Sequence, residues 1–190
     1  MMKKLKFYTV LTFIFYFLSS LSTSANPKLK IIENINNFES LKFNFSQLSN
    51  NIMEKGVCYL KRPHFLKCIY EDKKKKEIIV NKNSLVVFHK RYNKSYIYPA
   101  KKSYLIEILD KNKFSKLITS GYLNDNKDSF EIELNNDKKG KIVFYFDKTK
   151  FDLLGWKVID INANVTNFSI NNLSKNLLIE KNFFDLPSLN

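Results

Sequence analysis

Residues 56–70, GVCYLKRPHFLKCIY, read as two short strands joined at Arg62-Pro63-His64. Val57, Tyr59, Phe65, Ile69 and Tyr70 are β-branched or aromatic, the side chains that pleated, half-buried strands favour. Proline has no N–H to give a ladder, so Pro63 belongs in the turn, and its ring pushes Arg62 towards extended backbone. With a three-residue connection, Lys61 faces Phe65 and Cys58 faces Cys68. A single arginine then stands at the mouth of a hairpin whose arms are largely apolar.

Working outward, residues 41–47 alternate cleanly and read as a half-buried strand. Before them, Leu29, Ile32, Ile35 and Phe38 fall close to helical spacing and predict a first helix over residues 29–38. After the hairpin, Lys73-Lys74-Lys75-Lys76 marks a solvated turn. Residues 78–80 and 85–88 form strands around the turn-rich Asn81-Lys82-Asn83-Ser84, and a strand over residues 96–98 closes on Pro99.

The period then lengthens. Leu105, Ile108 and Leu109, then Phe114, Leu117 and Ile118, predict two short helices over residues 100–120, broken near Lys111-Asn112. Ser103 is a candidate N-cap for the first, and Gly121 is a stop signal for the second. Strands resume at residues 130–134 and 142–146 across a turn at residues 135–140. They continue at residues 153–159 and 165–173, and Phe183-Phe184-Asp185-Leu186-Pro187 ends the run. Many short strands with close turn signals suggest a sandwich, a barrel or a strongly curved antiparallel sheet. Residues 142–146, with Phe144 and Phe146, are apolar on both faces, so one face packs on helices while the other lines a cavity or core.

At 190 residues and 44% hydrophobic content the chain suits one domain with a core, and 4 Gly and 4 Pro argue against low complexity. The formal net charge of +14 has two readings: a Lys-rich composition throughout, or attraction to anionic surfaces. Residues 1–25 read as a signal peptide, with Lys3, Lys4 and Lys6, an apolar run over residues 7–18, and Thr23-Ser24-Ala25 at the cleavage point. The run is shorter than the ~20 apolar residues of a membrane span, though a retained anchor is the alternative. The mature domain is then residues 26–190, expected to be exported and not itself lipidated, because no cysteine stands at the cleavage point.

Catalysis finds little support. The chain has two histidines, His64 and His89, and no HExxH, GxSxG, CxxC or Gly-rich phosphate loop. Glu131 and Glu133 share one strand face and suit exposed charges better than acid–base work. No enzyme activity, metal or cofactor is expected, and the absence of a nucleic-acid motif together with an export signal argues against a nucleic-acid partner. Cys58 and Cys68 are a possible disulfide in an oxidising compartment or two buried thiols; a one-residue slip would put them on opposite faces.

The ordered set Phe43-x-Phe45-x-Gln47, Gly56, Leu60-x-Arg62-Pro63 and Tyr70 resembles the outer-membrane lipoprotein carrier family of the LolA type. The likeness continues through Leu85-Val-Val-Phe88, Ile142-Val-Phe-Tyr-Phe-Asp147, Leu154-x-Trp156-x-x-x-Asp160, Asn176, Phe183-Phe184 and Pro187, with the helical insert in the family's lid position. Departures are Lys82 where a turn glycine is common, Cys68 where an aromatic is common, and Leu66 where Phe is frequent. The resemblance implies an α+β single domain: an incomplete, strongly curved antiparallel β-barrel covered by short helices.

It also implies a monomeric periplasmic carrier of acylated lipoproteins, working between an inner-membrane lipoprotein-release transporter and an outer-membrane acceptor. By the same analogy Arg62 and Pro63 form a lid latch, the Arg62 donors meeting helix-end carbonyls near Leu109-Asp110 and Ile118-Thr119. The cavity and lid would comprise Phe43, Phe45, Leu66, Tyr70, Leu105, Ile108, Leu109, Phe114, Leu117, Ile118, Phe144 and Phe146. A carrier of another lipid or glycolipid, an acceptor-type relative and a secreted hydrolase are the competing readings.

Overall fold

A computed structural model describes residues 26–99 and 104–188. The expected signal peptide and the Ser103 cap lie outside the described residues. Helix α1 (Pro27–Asn36) begins where Asn26 accepts a hydrogen bond from the Lys28 N–H at 3.0 Å and Pro27 presets the first turn. Ile31 and Ile35, one turn apart, are its buried face. The expected stripe is rotated from this: Leu29 is 65% exposed, and Phe38 lies beyond the helix end, buried against the sheet.

Eleven antiparallel strands follow as two meanders. The first is β1 (Ser40–Ser49), β2 (Ile52–Lys61), β3 (Phe65–Tyr70), β4 (Lys76–Asn81), β5 (Ser84–His89) and β6 (Lys94–Pro99). The second is β7 (Tyr122–Asp125), β8 (Ser129–Asn136), β9 (Gly140–Asp147), β10 (Leu153–Ile159) and β11 (Val165–Lys175). Pairing of β1 with β11 joins them into one sheet of order β6-β5-β4-β3-β2-β1-β11-β10-β9-β8-β7. The curved sheet stays open because β6 and β7 are its two edges. The chain crosses from one edge to the other through helices α2 (Leu105–Leu109) and α3 (Lys111–Ser120).

The helical break falls at Asp110, one residue before the expected Lys111-Asn112. Asp110 is extended (φ −87°, ψ 120°), and its carboxylate accepts from the Lys113 N–H at 3.0 Å, capping α3. Strand β7 has no counterpart in the sequence reading: it is four residues long and exists through its pairing with β8.

Two apolar clusters result. One gathers the inward residues of β1–β5 and β11 with Leu109 of α2. The other gathers Ile31 and Ile35 of α1, Phe114 and Ile118 of α3, and the inward residues of β8 and β9. On the convex face a 3₁₀ turn, Lys181–Phe184, packs on β3 and β4: Phe184 lies 5.5 Å from the Phe65 ring, and Asn81 Nδ2 donates to its carbonyl at 3.1 Å.

Candidate functional site

The predicted hairpin forms with the predicted register. Cys58 pairs with Cys68 and Lys61 with Phe65 across the turn at Arg62-Pro63-His64. Strict alternation turns Gly56, Cys58 and Leu60 to the concave side of β2 and Leu66, Cys68 and Tyr70 to the concave side of β3. Arg62 continues the β2 series one step past the strand end. Cys58 and Cys68 are joined by a disulfide with Cα atoms 4.0 Å apart. Gly56 is required where it stands: a Cβ there would lie 2.1 Å from the Ile69 carbonyl oxygen and 2.8 Å from the Phe45 ring.

The concave face encloses an apolar cavity of about 280 Å³. Its walls are the inward side chains of β1–β4, β10 and β11, among them Phe43, Leu60, Leu66, Ile78, Trp156 and Ile170. Leu105, Ile108 and Leu109 of α2 roof it, and Phe114 reaches it from α3. Phe45, behind the wall, stacks on the lining residue Phe168 at 5.0 Å and meets Tyr70 edge-on at 4.8 Å, while Phe168 stacks on Trp156 at 4.1 Å.

Polar groups at the cavity are mostly paired. Tyr70 Oη donates to Gln47 Oε1 at 3.2 Å, and burial pushes its hydroxyl pKa above the ordinary value, reinforced by Glu54 and Asp72. Lys175 Nζ lies 2.5 Å from Asp152 and 2.6 Å from Asn34 Oδ1, and Asn34 Nδ2 donates to Asp152 at 2.9 Å. The Ser49 and Thr166 hydroxyls are 3.0 Å apart.

Arg62 differs. It is 7% exposed and lines the cavity, with its guanidinium 4.3 Å from the centre of the Phe38 ring. Its Nε and Nη1 have no hydrogen-bond partner. Burial lowers its pKa from 12.5 to about 10, against the opposing attraction of Glu39 and Asp110. The hydrogen bonds to helix-end carbonyls expected of Arg62 are therefore not made by either of those nitrogens. At the C-terminal end of α3 the carbonyls of Thr119 and Gly121 are taken by Lys28 Nζ instead, at 2.9 and 2.5 Å. Pro63 is exposed in the turn and does not line the cavity.

Of the residues expected at the cavity, Phe43, Leu66, Tyr70, Leu105, Ile108, Leu109 and Phe114 line it. Phe45, Leu117, Ile118, Phe144 and Phe146 do not. Phe45 is held in the aromatic stack, and the other four pack where α1 and α3 fill the β8–β9 half of the sheet. The sequence reading missed Leu60, Ile78, Trp156, Phe168 and Ile170 as lining residues. Extending the β2 alternation from Arg62 back through Leu60 would have found the first of them.

The family described as outer membrane lipoprotein carrier protein LolA matches residues 36–187. Among curated proteins, none matches the chain. Among solved structures, the fold is similar to an uncharacterized conserved protein from Thermus thermophilus, at 8% identity over 86% of this chain and 96% of that one (TM-score 0.57). It is also similar to a DUF1329 family protein from Desulfovibrio piger, at 8% identity over 86% and 98% of the two chains (TM-score 0.54). A third similar fold is MucB, at 9% identity over 89% of this chain and 64% of that one (TM-score 0.51). At these identities the structural likeness speaks for the fold, and the match over residues 36–187 speaks for the family: this chain belongs to the outer membrane lipoprotein carrier protein LolA family.

Proposed function

We propose that the chain is a non-enzymatic periplasmic carrier that shields lipoprotein acyl chains. It takes them from an inner-membrane release transporter and gives them to an outer-membrane acceptor, after cleavage of residues 1–25. The observation that carries this reading is the apolar cavity roofed by α2. Exposing an acyl chain costs about 0.8 kcal/mol per CH₂, so a long chain crosses water only inside such a shelter.

The cavity falls just below the ~300–1000 Å³ range of small-molecule sites. A cargo with several acyl chains then needs the roof to move. Helix α2 is suited to that: it has five residues and gains its stability from packing, while α3 is fixed in the filled half of the sheet. Arg62 acts as the latch through charge, attracted by Glu39 and by Asp110 at the α2–α3 junction. Opening α2 draws Asp110 away from Arg62 while Glu39 stays beside it on the sheet, and cargo is released when the acceptor binds it more tightly than the closed carrier does.

The test is transfer of a triacylated lipopeptide from detergent to the purified protein, followed by size-exclusion chromatography and mass spectrometry. The acylated peptide should co-elute and the unacylated peptide should not. Equal behaviour of the two would overturn the carrier reading.

A further inference from the structure

Resting on that reading, we propose that Arg62 is a head-group site. It binds the anionic oxygens of a single-chain amphiphile, a carboxylate or phosphate, whose alkyl chain lies along the concave face of β2. Seven described polar or charged residues line the cavity: Asn34, Gln47, Arg62, Tyr70, Asp152, Thr166 and Lys175. Six have side-chain partners, five of them within the cavity wall and Thr166 in Ser49 beside it. Arg62 alone presents buried donors, Nε and Nη1, with nothing to accept from them. A buried charged donor without an acceptor is costly, and a ligand that supplies the acceptor recovers that cost as affinity.

The nearby acids do not fill the vacancy. Glu39 is engaged by Lys111 Nζ, and the Asp110 carboxylate accepts from the Lys113 N–H. Phe38 covers one face of the guanidinium at 4.3 Å, which fixes its plane and leaves its edges for hydrogen bonding. Guanidinium has donors and no acceptor, so the group it selects is an acceptor-rich anion rather than an alcohol.

Length fits as well. The inward row from Arg62 to Gly56, which pairs with Tyr70 at the far end of the cavity, covers six residue steps, about 20 Å at ~3.3 Å per residue. One acyl chain spans about 15 Å, half of a ~30 Å hydrocarbon core. Other than Arg62, the side chains of that row that line the cavity are apolar, Leu60 and Cys58 in its disulfide, while the Phe45 ring covers Gly56 and Tyr70 closes the far end.

The chain's single tryptophan, Trp156, lines the cavity, so its fluorescence reports occupancy directly. The experiment titrates delipidated protein with palmitate, hexadecyl phosphate, methyl palmitate and hexadecanol. Wild type should bind at least one of the two anions about 10- to 100-fold more tightly than the neutral pair, the range expected for a charged hydrogen bond. Which anion is preferred tells the carboxylate source from the phosphate source. Arg62→Gln should bind all four with the affinity of the neutral pair, and Arg62→Lys should keep part of the preference.

Equal binding of anions and neutral ligands by wild type overturns the head-group site and leaves the carrier reading standing. A preference that survives in folded Arg62→Gln also overturns it, because another cation then holds the head. If none of the four binds, the cavity reading falls together with it. Should Arg62→Gln fail to fold, the wild-type comparison and Arg62→Lys decide the matter.

Discussion

The two halves of the sheet are built from the same kind of strand and differ in what covers them. Over β8 and β9, α1 and α3 insert Ile31, Ile35, Phe114 and Ile118 against Ile132, Ile142, Phe144 and Phe146, and the space is filled. Over β1–β4 and β11, the five-residue α2 bridges across without filling, and a cavity remains. One half is a core that holds the fold; the other is an apolar wall around a cavity. Alternation makes a face apolar, and the length and anchoring of the covering helix decide whether that face becomes core or cavity.

The sharpest way to break this comparison is a matched pair of truncations. Phe144→Ala, in the filled half, should cost about 3–5 kcal/mol, because a close-packed aromatic leaves a hole. Leu66→Ala, on the cavity wall, should fall at or below the low end of the ~2–5 kcal/mol range for Leu→Ala, since it already lacks neighbours on one side. Urea denaturation measures both; equal losses would erase the distinction.

Next in size is the disulfide. Breaking a cross-link with a sequence separation of 10 should cost ~2–3 kcal/mol by the chain-entropy model. Thermal melts with and without reductant, beside Cys58→Ser/Cys68→Ser, check it: reductant should lower the wild-type melting temperature and leave the double variant unchanged.

A smaller effect belongs to Lys28, which ties α1 to the end of α3 through the Thr119 and Gly121 carbonyls. Lys28→Met should cost about 1 kcal/mol, the low side for a partly exposed charged contact at a helix end. It should also speed amide exchange in α3 more than in β1.

Smallest in stability, and largest in function, is Arg62→Leu. Removing a buried charge with unpaired donors should change folding stability by no more than about 1 kcal/mol. It should favour the open roof, lengthen cargo retention and slow transfer to an acceptor. Transfer from loaded protein as fast as wild type would remove the latch role.

Much of the fold was legible in the chain. A Pro-centred turn between two β-rich arms placed the hairpin, and its three-residue length set the Cys58–Cys68 register. The change of period after Pro99 marked the helical insert between two runs of strands. What periodicity does not contain is the identity of the opposing surface. Phe144 and Phe43 carry the same inward pattern, yet one meets α3 at 5.2 Å through the Phe114 ring and the other faces the cavity. The partner of a helix-end carbonyl is equally nonlocal. The Thr119 carbonyl found Lys28, 91 positions away, and Arg62 Nε and Nη1 meet no helix-end carbonyl.

The central claim is that acyl chains enter the hollow half and leave the filled half untouched. Methyl NMR of isoleucine-labelled protein titrated with a triacylated lipopeptide tests it most directly. Ile78 on β4 and Ile170 on β11, both lining the cavity, should shift and show contacts to the acyl chain. Ile132 and Ile142, sealed in the other cluster, should keep their positions. Shifts centred on Ile132 and Ile142, or no shifts at Ile78 and Ile170 at saturating cargo, would contradict the account.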